Sequence, residues 1–294
     1  MFLDCLIVGG GPGGLMAAIY LARFRRSVCV IDAGASRAAL IPRSHNLPGF
    51  AGGLPGTELL ARMSAQLSEL EVPVINAEVS ALDKTQHGFR ATWTGGAADA
   101  ATAVLACGLV DIRPSCEEWQ LAVGEGLLRY CPICDAYEAI GRRIAVVGPL
   151  EHAAPKALFL RGFSRDLTVL ATRMDSEDQK SAITEAAIQL VDTPEVRFRR
   201  AGHKLEAICA GATLQFDIVY PAMGADVRSQ LALSLGVAHT AEGYLKVDDH
   251  QRTSVAGLYG VGDIVTDLHQ ISVAIGHAAV AACTIHNSLP PRLA

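Results

Sequence analysis

The sequence lacks an uninterrupted apolar stretch of about 18 residues, lacks any run of basic residues, and has only one closely spaced pair of cysteines. The first absence argues against a membrane span, although 50% of the 294 residues are hydrophobic. The second, with a formal net charge of −5, argues against nucleic acid as a partner. A charged fraction of 19% is typical of a compact protein, and the length allows two domains.

The N-terminal sequence and the cysteine spacing limit the roles that the cysteines can have. The N-terminal stretch MFLDCLIVGG has no positively charged region, so we interpret it as a first strand and not a signal peptide. We therefore expect a cytoplasmic protein in which most of the eight cysteines are reduced and buried. The close pair, Cys131 and Cys134, leaves open half of a zinc site, two buried thiols or a working disulfide. A zinc ribbon needs a second such pair or a nearby histidine pair, and the sequence has neither, so we expect no metal.

A glycine-rich turn near the N-terminus separates a predicted strand from a predicted helix. The strand is LDCLIV at 3–8, the helix contains LMAAIYLARF, and SVCVID at 27–32 predicts a second strand. Strand, glycine turn, helix and strand together predict one βαβ unit.

The residues of this turn fit a dinucleotide-binding fingerprint. Gly9 permits the tight turn, Gly11 lets the backbone approach a pyrophosphate, and Gly14 lets helix and strand pack closely. The helix N-terminus offers N–H groups and a partial positive charge to the phosphates. Asp32 closes the second strand at the distance where an acid can accept hydrogen bonds from a ribose.

The pattern restarts after residue 112. RRIAVVGPLEHAAPKALFLRGF at 142–163 again predicts strand, turn and helix, and DLTVLATR at 166–173 predicts the next strand. This weak internal repeat predicts a second nucleotide-type domain. The proline- and glycine-rich segment 35–56 is predicted to be a long functional loop. The apolar segment that ends the chain predicts a long helix packed on the first domain.

Taken in order, these motifs resemble the low-molecular-weight thioredoxin reductase family: a glycine fingerprint, CxxCD in mid-chain, a second βαβ unit, and Gly-Asp before a last helix. The resemblance covers nearly the whole chain. It implies an α/β fold of two Rossmann-like nucleotide-binding domains, the second inserted in the first. The FAD domain would comprise 1–112 and 245–294, and the inserted NAD(P)H-type domain, which carries the CxxC, would comprise 113–244. It also implies a homodimer.

The resemblance assigns the FAD site residue by residue. The adenosine half would bind the first glycine fingerprint and its acid. The flavin half would meet the loop asparagine, the Gly-Asp pair and the start of the last helix, whose N–H groups stabilise negative charge on a reduced flavin. The positions are Gly9, Gly11, Gly14, Asp32, Asn46, Gly262, Asp263, Gln270 and Ile271.

The resemblance makes the CxxC pair a redox-active disulfide. Cys134 would be the sulfur nearer the flavin, Cys131 would attack outward, and Asp135 would exchange protons with the leaving thiolate. The thiol partner would be a thioredoxin-like protein or a small dithiol or disulfide. Before Gln270 the family commonly has arginine, whereas this chain has His269, which could accept a proton from an incoming thiol or simply be a polar residue at the helix start. His45 is a weaker candidate for the same role.

The second fingerprint departs from the family. The family has GxGxxA, but Leu150 stands at the second glycine, where a branched side chain blocks the approach of a pyrophosphate. Glu151 adds negative charge, and Pro149 removes an N–H from the turn. Of the arginine cluster that binds the 2′-phosphate of NADPH, only Arg173 remains, among acidic residues. NADPH is therefore not expected as a direct donor.

Three hypotheses remain for the electron route. In the first, a ferredoxin or another flavoprotein supplies electrons to a thioredoxin reductase-like enzyme. In the second, a small dithiol reduces the CxxC disulfide and then FAD, and oxygen re-oxidises the flavin. In the third, the protein is a flavin redox sensor without turnover, which the intact CxxCD disfavours. An ordinary NADPH-dependent thioredoxin reductase stays a further alternative.

Overall fold

The computed structural model describes residues 2–209 and 211–291. The strands are β1 (Phe2–Val8), β2 (Val28–Asp32), β3 (Val74–Asn76), β4 (Val79–Thr85), β5 (Gly88–Trp93), β6 (Gly96–Leu105), β7 (Leu109–Asp111), β8 (Ser115–Cys116), β9 (Ile144–Pro149), β10 (Leu167–Arg173), β11 (Gln189–Asp192), β12 (Val196–Ala201), β13 (Lys204–Cys209), β14 (Ala212–Phe216), β15 (Ile218–Pro221), β16 (Ala225–Val227) and β17 (Leu258–Gly260).

The helices are α1 (Pro12–Arg23), α2 (Gly56–Ser68), α3 (Trp119–Gly124), α4 (Pro132–Asp135), α5 (Leu150–Leu160), α6 (Glu177–Glu185), α7 (Gln230–Leu233) and α8 (Ile271–Ser288). Short 3-10 turns cover Arg37–Leu40, Tyr137–Ala139 and Gly262–Ile264.

The chain divides into two compact units. The first comprises Met1–Ala39, Leu54–Val110 and Val227–Ala294, and the second comprises Leu40–Gly53 and Asp111–Asp226. The discontinuous α/β architecture predicted from the motifs is therefore confirmed.

The first unit is built on a seven-stranded sheet in the order β3-β2-β1-β6-β5-β4, with β17 also paired to β6. Pairs among β3, β2, β1, β6 and β17 are parallel, whereas β4 and β5 are antiparallel additions. Residues 5–8 of β1 are almost completely buried, as expected for a parallel strand covered on both faces. The first βαβ unit is thus confirmed, with helix α1 crossing from β1 to β2.

The second unit repeats this arrangement. Its parallel sheet has the order β11-β10-β9-β15, and α5 connects β9 to β10 as α1 connects β1 to β2. A second sheet, β14-β13-β12-β8, packs apolar residues such as Phe198 and Phe216 into the same unit. The weak internal repeat of the sequence is therefore a real repeat of the fold.

The unit boundaries differ from those expected in two places. The first unit resumes at Val227 and not at 245, because Val227, Ala232 and Val237 pack in the core of the β1–β6 sheet. Segment Leu40–Gly53 groups with the second unit, where Leu40 packs against a buried cluster that contains Phe198.

The last helix, α8, packs along α1, as its apolar sequence predicts. Its end is held by the buried Arg26, whose guanidinium donates to Nδ1 and the backbone oxygen of His286 and to the Pro290 oxygen, at 3.1, 2.9 and 2.9 Å. Across residues 2–209 and 211–291, no helix has the length and apolarity needed to cross a membrane.

Candidate active site

The turn between β1 and α1 is shaped by glycines that no other residue could replace without rearrangement. Gly9 has φ +107°, and a Cβ there would overlap the Ala106 carbonyl at the end of β6. A Cβ on Gly14 would overlap the carbonyl oxygen of Gly9, so the helix packs directly on the turn. Gly11 caps α1 without a side-chain hydrogen bond, and Pro12 begins the helix. This leaves the helix N-terminus as a site for an anionic group.

Asp32 reaches back to the same turn. Its Oδ1 accepts a hydrogen bond from the Gly10 N–H at 2.9 Å. An ideal Cβ on Gly10 would lie 2.6 Å from the Asp32 carboxyl, so Gly10 is also required for this approach. The half-buried Asp32 carboxylate fits the ribose of a dinucleotide, and the N-terminus of α1 fits its pyrophosphate.

The Gly-Asp pair lies in the same unit and faces the first turn of α8. Gly262 has φ +77°, and a Cβ there would touch Ala274 at 3.3 Å. Arg37 makes an ion pair with Asp263 at 3.4 Å between Nη1 and Oδ2. Gln270 caps α8 and Ile271 is its first residue, so N–H groups of the first turn lack acceptors within the helix. These residues could hold the flavin end of FAD.

His269, one residue before the cap of α8, is held by a tyrosine. The Tyr244 hydroxyl lies 3.1 Å from His269 Nε2, and the two rings are 6.0 Å apart between centroids. Burial raises the pKa of Tyr244, and the nearby Asp267 and Asp263 carboxylates raise it further. The histidine therefore has a fixed orientation in the first unit.

Cys131 and Cys134 form a disulfide with their Cα atoms 5.3 Å apart. Cys131 precedes the one-turn helix α4 and Pro132 begins it, while the Cys134 N–H donates to the Cys131 oxygen at 3.1 Å. Both cysteines are half-buried, and Ile133 between them is 55% exposed. A partly accessible disulfide on a single tight turn is suited to thiol exchange.

Asp135 follows the disulfide and contacts two polar side chains of the second unit, Tyr220 and Arg129. Tyr220, on β15, donates from its hydroxyl to Asp135 Oδ1 at 2.7 Å. Arg129 donates to the backbone oxygen of Asp135 at 3.0 Å, and its Nε is 4.0 Å from Oδ2. Burial raises the pKa of Asp135 above its ordinary value, against the lowering effect of the Tyr220 hydrogen bond and of Arg129. A carboxyl that binds its proton more tightly is suited to proton exchange with thiols.

The two loop candidates lie in the second unit. Asn46 is exposed, and the Ser44 hydroxyl donates to its Oδ1 at 3.0 Å. Nδ1 of His45 is 3.9 Å from Oε1 of Glu138, three residues after Asp135. The structure thus groups Asn46 with the disulfide unit and not with the glycine turn of the first unit.

At the second fingerprint, the turn from β9 into α5 repeats the glycine geometry of the first. Gly148 has φ +155°, and a Cβ there would overlap the Ala222 carbonyl after β15, as Gly9 faces Ala106. Leu150 is completely buried in the core of the unit. The N–H of Glu151, in the first turn of α5, donates to Oδ1 of Asp175 at 3.0 Å. A carboxylate of the chain itself therefore accepts a hydrogen bond in the first turn of α5, at the kind of helix N-terminus that can bind an anion.

Arg173, the remaining basic residue of this region, is engaged by the same acids. Its Nε is 2.7 Å from Asp175 Oδ2, and its Nη2 is 3.5 Å from Glu151 Oε1. Hydrogen bonding to the Glu151 N–H and to Arg173 lowers the pKa of Asp175 despite its desolvation. Asp175 is therefore ionised near neutral pH.

Several residues of these sites were not singled out by the sequence analysis, among them Gly10, Arg37, Tyr220 and Tyr244. Gly10 could have been found from the GGG run, but Arg37, Tyr220 and Tyr244 meet their partners through the fold. Tyr220 is 85 positions from Asp135 and Arg37 is 226 positions from Asp263. Only the position of a tyrosine within the apolar strand IVYP hinted at a buried hydroxyl that needs an acceptor.

Two Rossmann-like units and a partly accessible CxxC disulfide followed by a half-buried aspartate define a flavoprotein disulfide oxidoreductase. The chain belongs to the pyridine nucleotide-disulphide oxidoreductase family, whose family model matches residues 3–278. It is a flavin-dependent enzyme of the thioredoxin reductase type.

Individual relatives agree with this assignment. The thioredoxin reductase of Streptomyces coelicolor is 28% identical and covers 99% of this chain and 94% of its own length. The thioredoxin reductase of Treponema pallidum is 28% identical, over 95% of this chain and 94% of its own length. A crystal structure of HlmI superposes with a TM-score of 0.89 at 26% identity, over 97% of this chain and 92% of that one. Thioredoxin reductase from Streptococcus pyogenes superposes with a TM-score of 0.87 at 25% identity, over 97% of each chain.

Proposed function

We propose that this enzyme exchanges electron pairs between bound FAD and the Cys131–Cys134 disulfide without a pyridine nucleotide bound to its second unit. FAD supplies a two-electron carrier when bound to the glycine turn and the first turn of α8. The observation that carries the proposal is the hydrogen bond from the Glu151 N–H to the Asp175 carboxylate at the N-terminus of α5.

A pyrophosphate would have to displace this carboxylate. The first turn of a helix binds phosphate because its N–H groups have no acceptor and carry partial positive charge. At α5, Asp175 already accepts one of these hydrogen bonds, and the Glu151 side chain adds a second negative charge. At α1 the cap is Gly11, which has no side chain. The Asp32 carboxylate bonds to the Gly10 N–H, which precedes this cap, whereas the Asp175 carboxylate bonds to an N–H within the first turn of α5. The two helices therefore differ in where a carboxylate of the chain lies.

The 2′-phosphate of NADPH also lacks a partner of suitable charge. Arg173 is bonded to Asp175 and lies near Glu151, so the local charge of the three groups is negative. A bidentate arginine contact to a phosphate would require breaking these pairs and desolvating two carboxylates. The Leu150 side chain packs in the core of the unit, so this charge arrangement, and not the steric block expected from the sequence, is the obstacle to NADPH.

Electrons can then enter from an external protein donor or from a thiol. In the first case a ferredoxin or another flavoprotein reduces FAD, and the CxxC dithiol reduces a thioredoxin-like protein. In the second, a small dithiol is oxidised to a disulfide while oxygen is reduced to hydrogen peroxide, with two electrons and two protons transferred. The histidine held by Tyr244 favours this second function, because a neutral imidazole can accept a proton from a thiol.

An anaerobic absorbance titration tests the proposal. The purified flavoprotein is mixed with excess NADPH, then NADH, then dithiothreitol, and the flavin band is followed. We expect loss of the flavin band with dithiothreitol and no loss with either nucleotide. Rapid bleaching by NADPH would show that α5 accepts a nucleotide despite Asp175 and Leu150.

Re-admission of air separates the two routes. Return of the oxidised spectrum within seconds, with one hydrogen peroxide formed per dithiol consumed, supports the dithiol oxidase. Slow return, together with reduction of the flavin by photoreduced ferredoxin, supports the reductase with an external donor. The variant Cys131→Ser should keep its FAD and lose reduction by dithiothreitol, because the outward sulfur is missing.

A further inference from the structure

Tyr220 is the most deeply buried polar group beside the disulfide. Its side chain is fully buried on β15, among the core residues Ile144, Val146 and Ile218. A buried hydroxyl requires a hydrogen-bond partner, and this one donates to Asp135 Oδ1 at 2.7 Å. The bond joins a rigid central sheet to the residue that follows Cys134.

Three other charged side chains, Arg129, Lys156 and Glu138, affect the Asp135 carboxyl. Arg129 Nε is 4.0 Å from Oδ2, and Arg129 is itself held by the Gly126 oxygen at 2.8 Å. Lys156, on α5, donates to the Tyr130 and Pro221 oxygens, and Glu138 lies on the turn after α4. Glu138 raises the pKa of Asp135, whereas Lys156 lowers it. Tyr220 makes the short hydrogen bond to the carboxyl within this group.

We propose that Tyr220 is a positioning residue for proton exchange: its hydroxyl holds Asp135 Oδ1 as an acceptor, so that the exchanged proton is carried on Oδ2. This inference rests on the proposed function of the disulfide. A carboxyl oxygen that accepts a short hydrogen bond from a fixed donor is the poorer site for the proton, and the second oxygen is left to exchange it.

The step can be written for a dithiol that reduces the enzyme. A substrate thiol gives its proton to Asp135 Oδ2, and the thiolate attacks Cys131 Sγ, forming a mixed disulfide and releasing the Cys134 thiolate. The second substrate thiol gives its proton to the Cys134 thiolate, and its sulfur attacks the substrate sulfur of the mixed disulfide. This releases Cys131, which receives the proton held on Asp135 Oδ2. The substrate loses two electrons as a disulfide forms, and the CxxC gains them as a dithiol.

Removing the Tyr220 hydroxyl should change the pKa of Asp135 in one direction. A donor to Oδ1 stabilises the carboxylate, so Tyr220→Phe raises the pKa of Asp135 further above its ordinary value. The rate of the dithiol reaction depends on the carboxylate form and rises with pH through this pKa. In the variant the rise therefore moves to higher pH, by about one unit for the loss of a hydrogen bond to a charged group.

The experiment measures reduction of the disulfide by dithiothreitol across a pH series under anaerobic conditions. Samples are quenched with an alkylating reagent, and the free thiols of Cys131 and Cys134 are counted by mass spectrometry. Each variant rate is divided by the wild-type rate at the same pH, so that the ionisation of dithiothreitol cancels. The variants are Tyr220→Phe, Asp135→Asn and their combination, with Tyr259→Phe, another buried tyrosine on a strand, as matched control.

For Tyr220→Phe we expect a ratio near one tenth below the pH range of the titration and a ratio near one above it. Asp135→Asn should abolish the pH-dependent step, and Tyr220→Phe should add nothing to it. Tyr259→Phe should give a ratio near one throughout. A Tyr220→Phe ratio that is constant with pH, or an equal effect of Tyr220→Phe in the Asp135→Asn background, would overturn the inference.

A second variant covers the case in which Tyr220→Phe does not fold. Fluorotyrosine placed at 220 keeps the shape of the side chain and makes the hydroxyl a stronger donor, so the titration should move to lower pH. No movement, or movement to higher pH, would overturn the inference. If dithiothreitol does not reduce the wild-type disulfide at all, the proposed function fails, and this result differs from every outcome that concerns Tyr220.

Discussion

Leu150 offers the sharpest test of what a side chain contributes at the second fingerprint, where the family has glycine. If its side chain is part of the core, replacing it by the glycine of the family pattern should destabilise the second unit and should not produce NADPH binding. The side chain is completely buried and lies in the cluster that contains Ile144, Val146 and Leu160. Neighbouring strands fix these contacts, so the cavity cannot collapse fully.

The magnitude follows from this burial. Truncating a buried leucine costs about 2–5 kcal/mol, and glycine within a helix adds about 0.5–1 kcal/mol. Because Leu150 begins the helix, the second figure is the smaller part. We therefore expect Leu150→Gly to lower the free energy of unfolding of the second unit by about 3–5 kcal/mol. Leu158→Ala provides the matched control, since Leu158 lies on the same helix but is 36% exposed; we expect a change within about 0.5 kcal/mol.

Urea unfolding followed by tryptophan fluorescence measures this difference. The chain has two tryptophans: Trp119 lies in the second unit and Trp93 in the first. In a Trp93→Phe background the emission reports the second unit alone. The same proteins are then titrated anaerobically with NADPH, and we expect no reduction of the flavin, because Asp175 still occupies the N-terminus of α5.

Two results would refute this reasoning. A loss of less than about 1 kcal/mol in Leu150→Gly would mean that the side chain contributes little to the core. Rapid bleaching of the flavin by NADPH in this single variant would mean that the steric obstacle alone excluded the nucleotide and that the acidic groups at α5 matter little.

Three further predictions concern the flavin and thiol sites. Cys131→Ser should retain FAD and lose exchange with an external dithiol, measured by flavin absorbance; retained exchange would place the reactive sulfur elsewhere. Arg37→Gln should weaken FAD binding about fivefold, because Asp263 loses an ion pair worth about 1 kcal/mol, and a fluorescence titration with FAD checks this. Tyr244→Phe and His269→Gln should slow thiol oxidation non-additively in a double-mutant cycle, with a coupling of about 1 kcal/mol; full additivity would separate the two residues.

Local sequence patterns predicted the elements that bear these sites. The first βαβ unit was predictable because Gly9, Gly14 and Asp32 each meet steric or hydrogen-bonding requirements within one turn and its neighbouring strands. The start of α5 was predictable for the same reason. The sequence also shows directly that Leu150 replaces the second glycine of the second fingerprint. Such inferences depend on contacts between residues close in the chain or on spacing that a βαβ unit fixes.

Contacts that depend on sheet order were not predictable in this way. The acidic residues after β10 indicated an unfavourable charge, but not that Asp175 would accept the Glu151 N–H, since this requires the register of β9 against β10. Tyr220 reaches Asp135 because β15 pairs with β9. Segment 40–53 groups with the second unit through long-range packing of Leu40, which a loop-like composition does not encode.

The two βαβ units of this chain have similar glycine turns but differ at the N-terminus of the helix that follows. Both units pack their first glycine against the carbonyl that follows a neighbouring strand, so a Cβ would overlap backbone at either turn. They differ at the helix N-terminus: Asp32 accepts its hydrogen bond from Gly10, before the glycine cap of α1, whereas Asp175 accepts one from Glu151, within the first turn of α5. An internal carboxylate is present at a fixed effective concentration and carries no cost of association, so under the proposed function a dilute phosphate would have to displace it. In that case the CxxC disulfide of the same unit gives electrons a direct route into or out of the enzyme.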